Sequence, residues 1–226
     1  MKTGIRKLSW QMLAFGALLA SSILWTGCED DDDDKNTSDP GNELPGRYYV
    51  TAYYTPVEVY HGGPSQDVWG YTTIGGESGR VLLGSYPESF IGAVRMQGSG
   101  RITSGTYVGK YLNGSFVGDF WLSEFASDAY GAPLLPFLTA AADDGVLARG
   151  TRFKLKEPLL ESGGAEISST ASKKLLAITW DVQDHFEAGT GGDFRIDLYI
   201  GEEDRSDFTT DNPYYVALEN VIITTY

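Results

Sequence analysis

The sequence predicts an all-β protein organised as a small closed or half-closed sheet barrel, and three observations predict it. The chain of 226 residues holds 28 glycines and 14 tyrosines, about 12% glycine against a usual ~7%, a composition of turn-rich sheet. Short apolar or alternating pieces follow one another between glycine, proline and asparagine turns. No long amphipathic helix, no internal repeat and no regular alternation of strand and helix interrupts them.

The elements follow in order. Residues 47–55, RYYVTAYYT, have strand composition and stop at Pro56, which cannot donate to a ladder. From Val57 to Gly131 the strand-like pieces are Arg80 to Leu83, Phe90 to Met96, Arg101 to Val108 and Ser115 to Trp121. The best helical candidate is Leu134 to Ala142, limited to about a turn by Pro136. Thr151 to Lys156 alternates as a strand, and glycine- and serine-rich Glu161 to Ser172 reads as a surface loop. Leu175, Leu176, Ala177, Ile178 and Trp180 form an apolar run of buried-strand length, which delivers Asp181 and Asp184. A loop with Gly189, Gly191 and Gly192 follows, and then Phe194, Ile196, Leu198 and Ile200 alternate with polar residues. Asp197 is therefore expected on the face opposite that apolar set. Glu202 to Thr209 is a short helix candidate and Tyr215 to Tyr226 a closing strand.

The amino end reads as an export signal: Lys2, Arg6 and Lys7 precede the apolar stretch Leu8 to Trp25, and Thr26 and Gly27 precede the single cysteine, Cys28. Residues 1–27 resemble a bacterial lipoprotein signal peptide, which implies lipidation of Cys28 and a cell-envelope location, outer membrane or surface; an uncleaved membrane anchor is the alternative. Residues 28–45 begin with Glu29 and Asp30 to Asp34, a self-repelling block expected to act as a solvated tether. The folded domain is then expected over residues 46–226. With a formal net charge of −14, the chain is repelled by phosphate backbones, so nucleic acid is excluded as a partner. His61 and His185 lack ligand spacing and the only cysteine is assigned to lipid, so no metal site and no cofactor are expected.

Several stretches, taken in order, resemble the membrane-bound lytic transglycosylase A (MltA) family and the related three-aspartate domains. TAYYTP at Thr51 to Pro56 is similar to the family's TGYYTP, and QGSGR at Gln97 to Arg101, followed by YVGKYLNG, to its QGSG and YAGxNG. DDGVLARGT at Asp143 to Thr151 matches an aspartate seven residues before Gly-Thr, and RIDLYIG at Arg195 to Gly201 resembles the last aspartate strand. The resemblance implies a double-psi β-barrel with a smaller β-rich lobe inserted at about 57–131. The chain departs from the family after Asp184, where HFEAGTGG replaces GGAIKG, and in the shorter second lobe.

The activity implied is cleavage of the MurNAc-GlcNAc bond of peptidoglycan without water or metal. One aspartate protonates the departing oxygen and then takes the proton of the sugar's own primary hydroxyl, leaving an anhydromuramoyl end. Such an acid needs a carboxyl whose pKa is raised by burial or by a like charge. Asp197 is assigned that role, Asp184 its tuning and Asp143 the completion of an acidic cluster whose mutual repulsion would raise a pKa; Asp181 competes with Asp184 for the groove position. Gln97, Ser99, Thr103 and Tyr53 are candidates for glycan contact, with Trp121 a further aromatic candidate. The alternative reading is a non-catalytic barrel that binds peptidoglycan or another envelope polysaccharide.

Overall fold

The computed structural model describes residues 41–74, 79–114, 118–186, 191–192 and 194–226. The export segment, Cys28, the acidic run and Gly189 lie outside them.

Strands β1 (Asn42–Glu43), β2 (Tyr48–Thr55), β8 (Thr139–Ala142), β9 (Arg152–Lys156), β10 (Leu160–Glu161), β11 (Trp180–Asp184), β12 (Arg195–Glu202) and β13 (Ala217–Thr225) form one sheet. Its order is β13-β2-β12-β8-β11-β9, and β9 pairs back onto β13, so six strands close into a barrel. Two of the pairings, β12 with β2 and β11 with β8, are parallel, and the others around the ring are antiparallel. Closure removes the exposed edges that an open sheet of this length would leave.

Alternation along each strand sends one set of side chains inward. Val50, Ala140, Phe153, Leu155, Trp180, Val182, Ile196, Leu198, Leu218 and Ile223 fill the barrel. Phe153 and Trp180 have no accessible surface, and truncating either to alanine costs about 3–5 kcal/mol. The opposite set, including Thr51, Tyr53, Ala141, Asp197 and Tyr199, faces outward.

A second sheet lies wholly between β2 and β8 in sequence: β3 (Ser65–Tyr71), β4 (Arg80–Pro87), β5 (Ser99–Arg101), β6 (Tyr111–Asn113) and β7 (Phe120–Ser123), in the order β4-β3-β7-β6-β5. Helix α1 (Glu88–Gln97) covers one of its faces, packing Phe90, Ile91 and Val94 against Val68, Leu83, Leu112, Phe120 and Leu122. Gly70 is required where β3 meets β7, because a Cβ there would lie 1.9 Å from the Phe120 carbonyl oxygen.

The sheet-rich architecture is the expected one, and several elements within it differ from expectation. Phe90 to Met96 is helical, not extended: its apolar residues at positions 90, 91 and 94 share one helix face, Pro87 precedes the helix, and Gly98 at φ 86° ends it with its N–H on the Val94 carbonyl at 2.8 Å. Leu175 to Ala177 close helix α2 (Ser169–Ala177), whose first turn is capped by Ser168 accepting from the Ala171 N–H at 3.2 Å; the strand begins at Trp180. The helical candidate Leu134 to Ala142 is instead a turn leading into β8. Four residues there are buried between two neighbouring strands, and this packing outweighs alanine's helix propensity. Arg101 ends β5 and the chain turns after it, so no strand runs to Val108. Glu202 belongs to β12, and the helix near it, α3, is confined to Phe208–Asp211. The end of the expected tether joins the fold: β1 pairs with Thr224 and Thr225, the Leu44 N–H donates to the Ile223 carbonyl at 3.1 Å, and Glu43 bonds Lys156 at 3.0 Å.

Candidate active site on the outer barrel wall

Three neighbouring strands carry the site, and their register sets it. Ala141 of β8 pairs with Asp184 of β11 on one side and with Asp197 of β12 on the other. A register shift between Val182 and Asp184 brings Asp184, and not its strand neighbour by simple alternation, to this row. Strands lie ~4.8 Å apart, so the two acids flank one alanine with their Cα atoms about 10 Å from each other. Thr51 of β2 continues the row as the partner of Asp197.

Each carboxyl has its own set of donors. Thr51 Oγ1 donates to Asp197 Oδ1, while Arg195 donates from Nε to Oδ1 and from Nη2 to Oδ2, both at 3.2 Å. Arg195 and Asp197 are two apart on one strand, so both emerge on the same face. Asp184 Oδ2 accepts from the Tyr53 hydroxyl at 2.9 Å, and its Oδ1 accepts from the backbone N–H groups of Ala129 and His185, each at 2.8 Å. The Tyr53 ring reaches Asp184 by packing with Ala141 and Tyr199; the small methyl of Ala141 leaves it that room.

Burial is the largest influence on both acids and lifts each carboxyl above the ordinary value of 3.8. For Asp197 the Thr51 hydroxyl and the Arg195 guanidinium pull the other way. For Asp184 the three donors pull down and the charge of Asp128 adds to the rise. Mutual repulsion among Asp143, Asp184 and Asp197, the expected cause, is therefore replaced by desolvation. Burial and then the Asp184 charge hold the Tyr53 phenol well above its usual value, so it stays a proton donor.

Asp143 follows β8, two residues beyond Ala141, and its carbonyl accepts from the N–H groups of Val146 and Leu147. Its carboxyl packs beside Gly191 and Phe186: a Cβ on Gly191 would stand 2.4 Å from Asp143 Oδ2 and 2.4 Å from Phe186 Cδ2. The Arg195 guanidinium carbon lies 5.2 Å from the centre of the same Phe186 ring. The three acids thus occupy adjoining strands, Asp184 and Asp197 in one row and Asp143 beyond the end of β8. Asp181 pairs elsewhere, with Thr139 and Arg152, and its Oδ2 accepts from Gln183.

Gln97, Ser99 and Thr103 sit in the second lobe and are engaged within the protein, whereas Trp121 on β7 is exposed. Gln97 Oε1 accepts from the Tyr54 N–H at 3.1 Å and ties α1 to β2. Ser99 has no accessible surface and donates to Asn113 Oδ1 at 2.7 Å. Thr103 donates its N–H to the buried Glu58 carboxylate at 2.7 Å. Thr51, Ala141 and Arg195 were not singled out from the sequence. The Arg-x-Asp spacing was a usable signal for Arg195; the roles of Thr51 and Ala141 depend on strand register. Among the described residues no group of three or more His, Cys, Asp or Glu could hold a metal ion.

Fold and site define a closed β-barrel protein whose outer wall carries two desolvated carboxyls supplied with hydrogen-bond donors. No family model matches the chain and no curated protein does. Among solved structures it is similar to MltA from Escherichia coli, at 14% identity over 81% of this chain and 74% of that one, with a TM-score of 0.42. It is also similar to the same enzyme with bound chitohexaose (17%, 80% and 72%, TM-score 0.46). A third similar structure is the lytic transglycosylase LtgG of Burkholderia pseudomallei (16%, 78% and 72%, TM-score 0.41).

Proposed function

We propose that the outer wall of the barrel cleaves a glycan by aspartate acid–base chemistry, and that the reaction is lytic transglycosylation of peptidoglycan. The observation that carries this reading is the row Asp184–Ala141–Asp197, in which the two strands flanking β8 present carboxyls whose burial favours the protonated form. The reaction class comes from the sequence motifs around Thr51, Asp143 and Asp197. Asp197 gives its proton to the oxygen between MurNAc and GlcNAc as the bond from that oxygen to the MurNAc anomeric carbon breaks. The same carboxylate then accepts the proton of the MurNAc primary hydroxyl as that oxygen closes on the anomeric carbon, and an anhydro end results. Thr51 and Arg195 orient Asp197. Asp184, oriented by Tyr53, lies across Ala141 from Asp197 and tunes the setting of that acid. Lipid on Cys28 would hold this chemistry at an envelope membrane, and a surface location suits the acidic run behind it.

One observation favours a second reading, a barrel that binds a polysaccharide without cutting it. Arg195 donates twice to Asp197 and so stabilises the carboxylate, the wrong state for an acid. Mass spectrometry of peptidoglycan after incubation separates the two. Catalysis predicts anhydromuramoyl ends that vanish in Asp197→Asn; bound glycan of unchanged length, with or without that substitution, would establish the second reading.

A further inference from the structure

The face of the second sheet that α1 does not cover is divided into a closed half and an open half. At the β5 and β6 end it meets the barrel: the Tyr111 hydroxyl donates to Glu202, and Arg101 Nε lies 2.7 Å from the same carboxylate. At the β7, β3 and β4 end it is open, and what it presents is aromatic. Tyr71 pairs directly with Trp121 across the parallel strands β3 and β7, and Trp69 stands two residues before Tyr71 on the same face. The three side chains are 45% (Trp69), 48% (Tyr71) and 37% (Trp121) exposed. Strand geometry spaces Trp69 and Tyr71 by about 6.7 Å along β3 and Tyr71 and Trp121 by about 4.8 Å across. The Gly70 contact with Phe120 fixes this register, since no other residue lets β3 and β7 approach so closely.

We infer that this row is a docking platform for the sugar backbone of peptidoglycan, whose uncharged rings stack on Trp69, Tyr71 and Trp121. The inference rests on the glycan reading above and adds to it a second place where the strand is held. Three observations choose the occupant. The rings are rigid, flat and carry polar atoms at their edges, which suits the apolar faces and hydroxyl rims of sugars. A net charge of −14 disfavours a polymer charged along its backbone, whereas the carboxylates of peptidoglycan sit on its side peptides, away from the stacked rings. The exposed Arg80–Asp119 pair at 3.1 Å beside Trp69 supplies a donor and an acceptor for hydroxyls, and the same residues, with Ile91 and Arg95 of α1 on the other side, border a hollow of about 230 Å³. That volume is below the roughly 300–1,000 Å³ of pockets for drug-sized ligands, and fits one projecting sugar substituent.

The platform is tied to the acid row through buried residues of the second lobe. Trp121 pairs with Asn113, Asn113 Oδ1 accepts from the Ser127 N–H at 3.4 Å, and Ala129, two residues on, donates to Asp184.

The test is co-sedimentation of the full chain with purified peptidoglycan, in an Asp197→Asn background so that the strand is not consumed. Trp121→Ala is expected to weaken binding about tenfold, Trp69→Ala with Trp121→Ala to weaken it further, and Trp121→Phe, which keeps a ring, to restore most of it. Unchanged binding in the double alanine variant overturns the platform, as does absence of binding to peptidoglycan. So does a wild-type dimer that dissociates on Trp121→Ala, which would make a second copy of the chain the occupant. The two proposals fail separately. Anhydro ends released normally by the double alanine variant with unchanged binding would remove the platform alone. Ring-dependent binding with no anhydro ends would remove the catalytic reading alone.

Discussion

The Tyr53 hydroxyl donates to Asp184 at 2.9 Å although 131 residues separate the two in sequence. The contact spans the β-barrel wall from β2 to β11, passing over Ala141, and joins the strand that supplies Thr51 to Asp197 with the strand that supplies the second acid. The two carboxyls are therefore held by one framework although they do not touch.

Removing that phenol should be felt first at Asp184. Tyr53→Phe keeps the ring and deletes one of three donors to a buried carboxyl, a loss of about 1 kcal/mol, since the Ala129 and His185 N–H groups remain. Because the lost bond favoured the charged form, the Asp184 pKa should rise further. Denaturant melts at neutral pH and a carboxyl titration read both effects; no change in either would mean that the bond does not form in solution.

Why the sequence disclosed the acids and not this framework follows from the physics of sheets. Alternation is local, so β2, β9, β12 and β13 were legible within a residue or two, and with them the outward face of Asp197. Pairing is not local: nothing in the chain's order says that Ala141 lies between Asp184 and Asp197, or that a bulge after Val182 settles Asp184 over Asp181. Alanine-rich β8 was misread as helical because its small side chains suit a strand crowded on both sides, a tertiary demand that propensity does not report. Helix α1 was misread because Phe90, Ile91 and Val94 form a short apolar cluster that fits either period.

Burial of the two acids should also mark the pH dependence of folding. Both have folded pKa values above 3.8, so each favours the folded state most when protonated; that contribution is complete below 3.8 and is lost as pH rises through the folded value. Asp184→Asn cannot titrate. Its stability relative to wild type is thus predicted to improve from acid toward neutral pH, as urea unfolding at both ends of that window would show. A gap that stays constant or closes in the opposite sense contradicts a raised pKa.

Two glycines of the second lobe should respond in opposite directions to the same added methyl. Gly70→Ala places Cβ against the Phe120 carbonyl and should separate β3 from β7, destabilising by about 1–3 kcal/mol or more. Gly92→Ala lies inside α1 with open space around it and should stabilise by about 0.5–1 kcal/mol. Thermal melts of the two variants check the lobe's packing without reference to any ligand.

The claim on which the functional account turns is that a carboxyl on the barrel wall keeps its proton above the ordinary carboxylate range. Titration of Asp197 and Asp184 by carboxyl-detected NMR measures this directly. Both midpoints are predicted above 3.8, with that of Asp197 moving higher still in Arg195→Gln as the guanidinium is lost. An Asp197 midpoint below 3.8 in the wild-type protein would contradict the account, because the wall would then hold a permanent anion and no acid to donate.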